Sequence, residues 1–372
     1  MKPRLLISTD AFLPHWDGVA RFLAEIIPRL KDDYNITVVC PEFEGSKPEI
    51  EDVKIIRMPL LKIRVADTYL TKPQFKRIKK IVEKQDIVFN QTIGPIGYAA
   101  IKAAKKLRKP VISYIHIIEW DIVPKSVMHF RWFWGRIVKR FARKLYNKCN
   151  LLLVPSSEAA ATLRKNRIKA VKGVVHLGIN SEKFIPADRA EAKKKSGIDS
   201  KDFVIGYCGR LGREKNLVTL YRAFVQLQKE RKKVKLLVVG SGVEDVEELF
   251  KGKQGVVFTG SKDNVVPYLQ AMDIYVLPSL VETTSLSTME AMSCGCAVLV
   301  TKVGLIKEYV RHRKNGMFFP TRNTYMLRKR IEELIDKKEL RENLGRNARE
   351  TIVRNYSWER TVYEIKKILS GF

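Results

Sequence analysis

The chain has 372 residues, which is too long for one domain core. Of these residues, 45% are hydrophobic and 30% are charged, a balance typical of a soluble globular protein. Lys and Arg number 70 against 40 Asp and Glu, and the net charge of +30 predicts an anionic partner or surface. No apolar run approaches the roughly 18 residues that a membrane span needs, and the first one, RLLIST, is predicted to be a strand rather than a signal peptide.

The predicted elements of the first half alternate between strands and helices, which favours an α/β fold with parallel sheets. The predicted strands are RLLIST, ITVVCP, KIIRMP, DIVFNQ, PVISYIH and LLLVPSS. The helices predicted between them are ARFLAEIIPRL, FKRIKKIVEK, YAAIKAAKKL and a basic helix before LLLVPSS. The segment GVVHLGIN is expected to end this first doubly wound half.

A polar connector, PADRAEAKKKSGID, leads to a second half of the same kind. Its predicted strands are FVIGYCGRL, VKLLVVG, VVFTG, DIYVLPS and AVLVT. Its helices are predicted at NLVTLYRAFVQLQKE, at RKRIEELIDKKELRENLGRNARETI and after YSWER. Two α/β domains of similar size follow from this pattern.

Cysteine and histidine are sparse and scattered. The five cysteines are an odd number without the spacing of a disulfide framework or a zinc site, and we expect them to be reduced and mostly buried in a cytosolic protein. They are Cys40, Cys149, Cys208, Cys294 and Cys296. No histidine–carboxylate cluster and no Asp-x-Asp pair after a strand is evident, so we expect no metal site.

Two glutamates follow the predicted strand DIYVLPS, with Glu282 in a polar loop and Glu290 in the first turns of the next helix. A strand, loop and helix in this order present backbone N–H groups and a helix N-terminus at the carboxyl edge of a parallel sheet, which suits an anion such as a diphosphate. Carboxylates accept hydrogen bonds from the hydroxyls of sugars and riboses. The alternative is a pair of ordinary acidic residues near a helix N-terminus, where they favour the macrodipole.

A second anion site is predicted after the strand FVIGYC, where Gly209, Arg210 and Lys215 precede a helix that Asn216 is expected to cap. Two cations beside a helix N-terminus suit a diphosphate, whose charge must be held as it leaves. The alternative is a solvated basic loop.

These segments resemble the retaining glycosyltransferases of family 4. Glu282 and Glu290 stand as in the family's E-x7-E signature, and GRLGREKNL resembles its phosphate-gripping motif. Similar likenesses are carried by FLPHWDGVARFLAEI, LLLVPSSEAAATL, HLGINSEKF and NYSWER. The resemblance implies a GT-B fold: two Rossmann-like doubly wound domains facing across a cleft, with a C-terminal helix that crosses back. The domains implied are an acceptor-binding domain at 1–183, a nucleotide-sugar domain at 184–354, and the returning helix at 355–372.

The resemblance also assigns roles. Arg210 and Lys215 would grip the donor diphosphate and Glu290 the ribose, whereas Glu282 and His116 would lie beside the transferred sugar. For His116 the alternative is a structural histidine. Further donor contacts are expected at Gly18, Phe258, Gly260, Thr284, Ser285 and Leu286. The family implies retention through front-face attack, with the leaving phosphate taking the acceptor proton and no metal needed.

The sequence departs from the family in the loop after Glu282. Many members read Glu-Gly-Phe-Gly, whereas this chain reads Glu282-Thr283-Thr284-Ser285. Loss of both glycines constrains the loop backbone and leaves the donor sugar open. Gly18 is expected to admit a close approach of the backbone to the donor, and the alternative there is a plain tight turn.

The segment 101–150 holds 13 Lys or Arg against 2 Asp or Glu. At about 100° per residue, Trp134, Ile137, Val138, Phe141 and Leu145 share one arc of a helix. The opposite arc holds Arg136, Lys139, Arg140, Arg143 and Lys144. With Trp132 nearby, this pattern predicts a helix that binds an anionic membrane surface. The alternative is a helix whose apolar arc packs on the sheet and whose basic arc is merely solvated.

The leading hypothesis is therefore a retaining glycosyltransferase of glycolipid biosynthesis. It would move a hexose from a UDP- or GDP-sugar to a lipid or lipid-linked acceptor, as a peripheral protein on the cytosolic face of the cell membrane. One alternative is the same chemistry on a soluble acceptor. A different class, a basic protein that binds nucleic acid, would suit the charge but leave the two glutamates unexplained.

Overall fold

The computed structural model describes residues 2–15, 17–45, 48–65, 68–122, 131–282 and 284–372. The chain divides into two compact units. Unit 1 comprises Met1–Leu177 and Thr361–Phe372, and unit 2 comprises Gly178–Arg360.

Unit 1 is built on a parallel sheet of apolar strands, as expected for a sheet covered on both faces. Its strands are β1 (Arg4–Ser8), β2 (Asn35–Pro41), β3 (Val53–Met58), β4 (Leu60–Val65), β5 (Thr68–Thr71), β6 (Ile87–Asn90), β7 (Val111–Tyr114), β8 (Leu151–Val154) and β9 (Val171–Val174). Among the described residues, seven of these form the sheet, in the order β3-β2-β1-β6-β7-β8-β9, and β4 and β5 form a separate antiparallel hairpin.

The helices of unit 1 cover this sheet. They are α1 (Gly18–Leu30), α2 (Phe75–Glu83), α3 (Pro95–Lys106), α4 (Glu119–Ile122), α5 (Arg131–Tyr146) and α6 (Ser157–Lys165). One cluster of buried side chains joins α2, α3, α5 and α6 to a single face of the sheet through Leu6, Val88 and Leu152. Because side chains alternate along a strand, Leu5 and Ile7 point to the opposite face.

Unit 2 repeats the plan with six parallel strands. They are β10 (Phe203–Cys208), β11 (Val234–Val239), β12 (Val256–Phe258), β13 (Ile274–Leu277), β14 (Ala297–Thr301) and β15 (Met317–Phe319), in the order β12-β11-β10-β13-β14-β15. The helices are α7 (Arg189–Lys195), α8 (Leu217–Glu230), α9 (Glu244–Glu247), α10 (Val266–Ala271), α11 (Leu286–Ser293), α12 (Ile306–Tyr309), α13 (Thr324–Asp336) and α14 (Lys338–Asn355). The last helix, α15 (Trp358–Leu369), begins in unit 2 and continues in unit 1.

The strand order reverses once in each sheet, between β1 and β6 and between β10 and β13. At such a switch point, the loops that follow the two strands run in opposite directions. Doubly wound sheets bind ligands in the crevice between these loops. The predicted fold class, two doubly wound α/β units, is confirmed.

Three of the features of the secondary structure that were not predicted from the sequence affect the fold most. The hairpin β4–β5 and the three-residue edge strand β15 were missed. The long C-terminal helical run is interrupted at Lys337, whose φ of −106° and ψ of 79° lie outside the helical region. The interruption lets α13 pack on α8 while α14 packs on α11 and β14. The five cysteines are free and buried, as predicted.

The chain enters and leaves unit 2 side by side. Ile179 N donates to Tyr356 O at 2.7 Å, and Trp358 N donates to Ile179 O at 3.2 Å. A Cβ added at Gly178 would lie 2.6 Å from the Trp358 backbone, so only glycine allows this approach. From Thr361 onward α15 belongs to unit 1, where Lys366 pairs with Asp33 at 2.5 Å.

No helix in the described parts of the chain is both long and apolar enough to cross a membrane.

Candidate active site

Two loops at the switch point of unit 2 carry most of the predicted site. One follows β10 and spans residues 209–216, and the other follows β13 and spans residues 278–285. Three hydrogen bonds join the loops: Lys215 Nζ to Glu282 Oε1 at 2.6 Å, Leu280 N to Glu214 O at 2.8 Å, and Asn216 Nδ2 to Pro278 O at 3.2 Å. The fold therefore brings together residues that are 67 positions apart in the sequence.

The Lys215–Glu282 ion pair is largely buried, with 19% of the lysine side chain and 7% of the glutamate side chain exposed. Ser279 Oγ also donates to the same carboxylate oxygen, at 2.7 Å. Because little water reaches the pair, each charge depends on the other for compensation. The residues predicted to contact the diphosphate and the sugar thus lie in direct contact with each other.

Arg210 lies in the same loop but is exposed, with 64% of its side chain accessible, and it forms an ion pair with Glu214. Its position follows from Gly209, whose φ of 147° is in the region that favours glycine. The Arg210 carbonyl accepts a hydrogen bond from the Tyr207 hydroxyl at 2.7 Å, which holds the turn. An exposed guanidinium at this edge is available to a diphosphate.

Helix α11 begins directly after the second loop and carries Glu290 in its second turn, where the side chain is buried. Burial, with a smaller contribution from the Glu290 charge, raises the pKa of the Cys208 thiol at the end of β10 to about 12. Glu290 therefore lies close to the end of β10, at the switch point. The N-terminus of α11 has no side-chain cap, which leaves its dipole directed at this edge.

Ser285 shows how the loop accommodates the loss of glycine. Its backbone adopts a left-handed conformation, with φ 53° and ψ 75°, that residues other than glycine rarely take. Its hydroxyl hydrogen-bonds to Thr288 Oγ1 at 2.8 Å, and the Tyr309 hydroxyl donates to Thr284 O at 2.7 Å. Leu286 follows as the first residue of α11, and Thr283 lies outside the described residues.

The prediction that Asn216 caps α8 with its side chain is wrong. Asn216 has a left-handed backbone, with φ 53°, and makes no side-chain cap. Its amide instead donates to Pro278 O and ties the two loops together.

The other predicted donor contacts lie on other elements of the two units. Phe258 and Gly260 lie at the end of β12, which β11 and β10 separate from β13. Gly18 lies in unit 1 as the first residue of α1, which Asp17 caps through a bond to Ala20 N at 2.7 Å. A Cβ at Gly18 would meet nothing within 4 Å, so packing does not explain glycine there.

In unit 1, His116 follows β7 at the carboxyl edge of the sheet. Its ring packs against Phe22 and Tyr114 at centroid distances of 4.9 and 4.6 Å. Burial lowers the pKa of His116 to about 3, so the imidazole is neutral near pH 7. Its Nε2 lies 3.0 Å from Gln91 Oε1, which favours the tautomer that donates from Nε2 and leaves Nδ1 as an acceptor. A neutral acceptor can orient a hydroxyl but is a weak general acid.

Gln91 and Asp10 were missed by the sequence analysis. Gln91 ends the predicted strand DIVFNQ, and its position at a strand end was the only available signal. Asp10 is buried and accepts from Thr92 Oγ1 at 2.6 Å and from Ile96 N at 2.8 Å. Burial raises the pKa of Asp10, while these bonds oppose the rise. Asp10 fixes the loop between β6 and α3, and Gln91 contacts His116.

Helix α5 carries the predicted basic surface. Arg136, Arg140 and Lys144 are exposed, and Lys139 and Arg143 are partly buried. The predicted apolar arc is split, because α5 packs through Ala142, Leu145 and Tyr146, with Val138 at its margin, whereas Ile137 and Phe141 are exposed. The side chains of Trp132 and Trp134 lie outside what the structure describes.

In the described parts of the chain, no group of three or more His, Cys, Asp or Glu side chains could hold a metal ion.

Comparison with known proteins assigns both units. Residues 16–183 match the family model described as Glycosyltransferase Family 4, and residues 188–351 match Glycosyl transferases group 1. The chain is a glycosyltransferase of the GT-B type. An uncharacterized glycosyltransferase of Methanocaldococcus jannaschii is 24% identical over 99% of this chain and 98% of its own length.

Two further relatives of this glycosyltransferase are informative. The alpha-monoglucosyldiacylglycerol synthase of Streptococcus pneumoniae is 26% identical over 80% of this chain and 70% of its own length. The solved structure of Anabaena HepE in complex with UDP and glucose has the same fold, with a TM-score of 0.77 and 17% identity over 100% of both chains. Arg210, Lys215, Glu282 and Glu290 fall within the group 1 match, and His116 falls within the family 4 match.

The buried pair generates a prediction about stability. Lys215→Met should lower the free energy of unfolding by about 3 kcal/mol, because Glu282 is left charged and buried. Glu282→Gln should act similarly, and the double variant should recover part of the loss. Denaturant unfolding of the full chain measures this, with Arg210→Met in the exposed pair as the control at about 1 kcal/mol or less. Strictly additive losses in the double variant would contradict the coupling.

The left-handed residue generates a second prediction. Ser285→Val should lower the free energy of unfolding by about 1–2 kcal/mol, because a β-branched residue is poorly tolerated at positive φ. Ser285→Gly should change it by less, because glycine accepts this conformation at no steric cost. Thermal unfolding compares the two, and an equal effect of both substitutions would show that the hydroxyl contact, not the backbone, is decisive.

The third prediction concerns His116. Its pKa of about 3 lies below the usual value near 6.5. As the pH falls, His116 is therefore protonated in the unfolded chain before it is protonated in the folded chain. Its contribution to stability should be complete above about pH 6.5 and fall as the pH drops towards 3. NMR titration should show no ionisation of His116 between about pH 5 and 8. Gln91→Glu should raise the pKa, because a carboxylate stabilises the imidazolium. Ionisation near pH 6.5 in the unsubstituted chain would refute the assignment.

Proposed function

We propose that this glycosyltransferase moves a hexose from a nucleotide-diphospho sugar to a lipid or lipid-linked acceptor at a membrane surface, with retention of configuration. The observation that carries the donor half is the contact between the loops after β10 and β13. It brings Lys215 and Glu282, together with Arg210 and its partner Glu214, to the switch point where Glu290 and the N-terminus of α11 also lie.

In this proposal Arg210 and Lys215 bind the diphosphate and Glu290 accepts hydrogen bonds from the ribose. Lys215 is already paired with Glu282, so a bound diphosphate draws on the same ammonium and leaves Glu282 free to accept from a sugar hydroxyl. The two cations and the dipole of α11 neutralise the leaving group, and no metal is required for that role.

The reaction follows from these contacts. The bond between the anomeric carbon and the diphosphate oxygen breaks, and a bond to the acceptor hydroxyl forms on the same face of the sugar. The hydroxyl proton passes to the departing phosphate oxygen, which the cations hold in place. His116, neutral near pH 7, accepts a hydrogen bond at Nδ1 and orients a hydroxyl rather than exchanging a proton.

The acceptor part of the proposal rests on the positive charge of α5 and on the similarity of the chain to one relative. Helix α5 has six Lys or Arg and no acidic residue, and an anionic headgroup layer attracts such a face by about 1 kcal/mol per nearby cation. A relative named as a monoglucosyldiacylglycerol synthase supports a glycerolipid acceptor. We therefore propose peripheral attachment to the cytosolic face of the cell membrane.

The test is calorimetric titration with UDP- and GDP-sugars, followed by transfer assays. Arg210→Met should weaken donor binding by about tenfold or more, because a charge-assisted bond to the diphosphate is lost. Arg213→Met is the matched control, because Arg213 lies in the same loop, is 76% exposed and is also paired with an acidic residue, Asp245. Equal losses in both variants would place the diphosphate elsewhere.

The acceptor is tested by transfer of labelled sugar into vesicles that contain diacylglycerol, compared with soluble sugars. NMR of the product reports its anomeric configuration. Labelled lipid with the donor's configuration supports the proposal. Transfer to soluble acceptors alone would refute the membrane role. Salt-sensitive binding of DNA without any donor binding would refute the proposed donor site.

A further inference from the structure

Three neighbouring helices of unit 1, not only α5, present a basic surface. Helix α3 packs against both α2 and α5 on one face of the sheet. Helices α2, α3 and α5 carry four, three and six Lys or Arg against one acidic residue, Glu83. The described part of unit 1 therefore has a cationic face wider than one helix.

An apolar groove of about 570 Å³ opens within this face, between the N-termini of α2 and α3 and the middle of α5. Its walls include Phe75, Ile93, Pro95, Tyr98 and Phe141. Phe141 stacks on Tyr98 at 5.7 Å, yet Phe75 and Phe141 remain exposed. The volume falls in the range of about 300–1,000 Å³ that is usual for small-molecule sites.

Among the described residues of the lining, Lys102 is the one that carries a charge. Its Nζ lies 2.9 Å from the Tyr98 hydroxyl and 4.9 Å from the centre of that ring. An ammonium has three donors, so others remain for a ligand oxygen. An apolar slot with a cation beside it matches a molecule with a hydrocarbon chain and an anionic head.

The groove also lies next to the predicted acceptor side of unit 1. Ile93 at its base comes two residues after Gln91, which is bonded to His116. The groove therefore begins near the carboxyl edge where His116 lies and extends along α3 to Lys102. This continuity favours a lipid over a soluble aromatic molecule as the occupant.

We propose that this groove holds one acyl chain of an anionic glycerolipid, with the lipid phosphate beside Lys102. The inference rests on the membrane part of the proposed function. It adds a defined chain-binding site to a surface that would otherwise hold the membrane by charge alone.

The first test compares Phe141→Asp with Ile137→Asp. Both residues are exposed on α5, at 41% and 43%, and both substitutions add one negative charge, but only Phe141 lines the groove. Flotation with vesicles of phosphatidylglycerol and phosphatidylcholine measures affinity. The added charge alone should cost about fivefold, and loss of the apolar contact should bring Phe141→Asp to about fiftyfold. Equal losses would overturn the groove, and thermal unfolding shows that both variants are folded.

The second test measures depth. Lys102→Cys and Lys106→Cys place a thiol on the same face of α3 one turn apart, both exposed, and only residue 102 borders the groove. Because the native cysteines are buried, a fluorophore can be attached selectively. A nitroxide at the head end of the acyl chain should quench the label at 102 much more than that at 106, because the phosphate is proposed to lie beside residue 102.

The remaining outcomes separate the two proposals. Equal quenching at both positions, or bound vesicles without quenching at 102, would overturn the groove and leave membrane binding intact. If the unsubstituted chain does not bind vesicles, both the groove and the membrane role fail. Donor binding, measured by calorimetry without lipid, reports on the glycosyltransferase site independently of either result.

Discussion

The buried contact between Lys215 and Glu282 is the constraint on which the donor side depends. The two residues belong to loops that leave adjacent strands in diverging directions, and their 2.6 Å ion pair, with two further hydrogen bonds, closes that divergence. The pair also sets the local chemistry. A buried carboxylate needs a compensating charge, and the Lys215 ammonium in contact with it supplies that charge, so the position of each group is determined by the other. Arg210, which is exposed, is free of this restriction.

Much of this arrangement could be predicted because it depends on local patterns in the sequence. Parallel strands that are covered on both faces are continuous apolar runs, so FVIGYC and DIYVLPS were assigned correctly as strands β10 and β13. Polar residues directly after such strands must lie at the carboxyl edge, which located Lys215 and Glu282 without knowledge of the fold. The strands that were missed have weak sequence patterns: β15 has three residues at a sheet edge, and β4–β5 is an isolated hairpin.

What escaped prediction depends on partners distant in the sequence. Asn216 is of a residue type that often caps helices, but its side-chain amide donates a hydrogen bond across the two loops to Pro278 O. The arc of α5 was computed from an ideal helix, whereas the buried stripe is set by how α5 sits on the sheet, and that places Phe141 outside. The tautomer of His116 depends on Gln91, which lies on the neighbouring strand. None of these contacts has a signature in a single segment.

The way the chain crosses into unit 2 has a consequence for its construction. Ile179 pairs with Tyr356 and Trp358, and Gly178 fits against Trp358, so the two ends of this 183-residue segment lie together. Domains with adjacent ends tolerate excision, insertion and circular permutation. In the sequence, unit 2 is thus inserted between β9 and the last turns of α15. A new linker could join the two ends of unit 2 to each other without stretching the backbone.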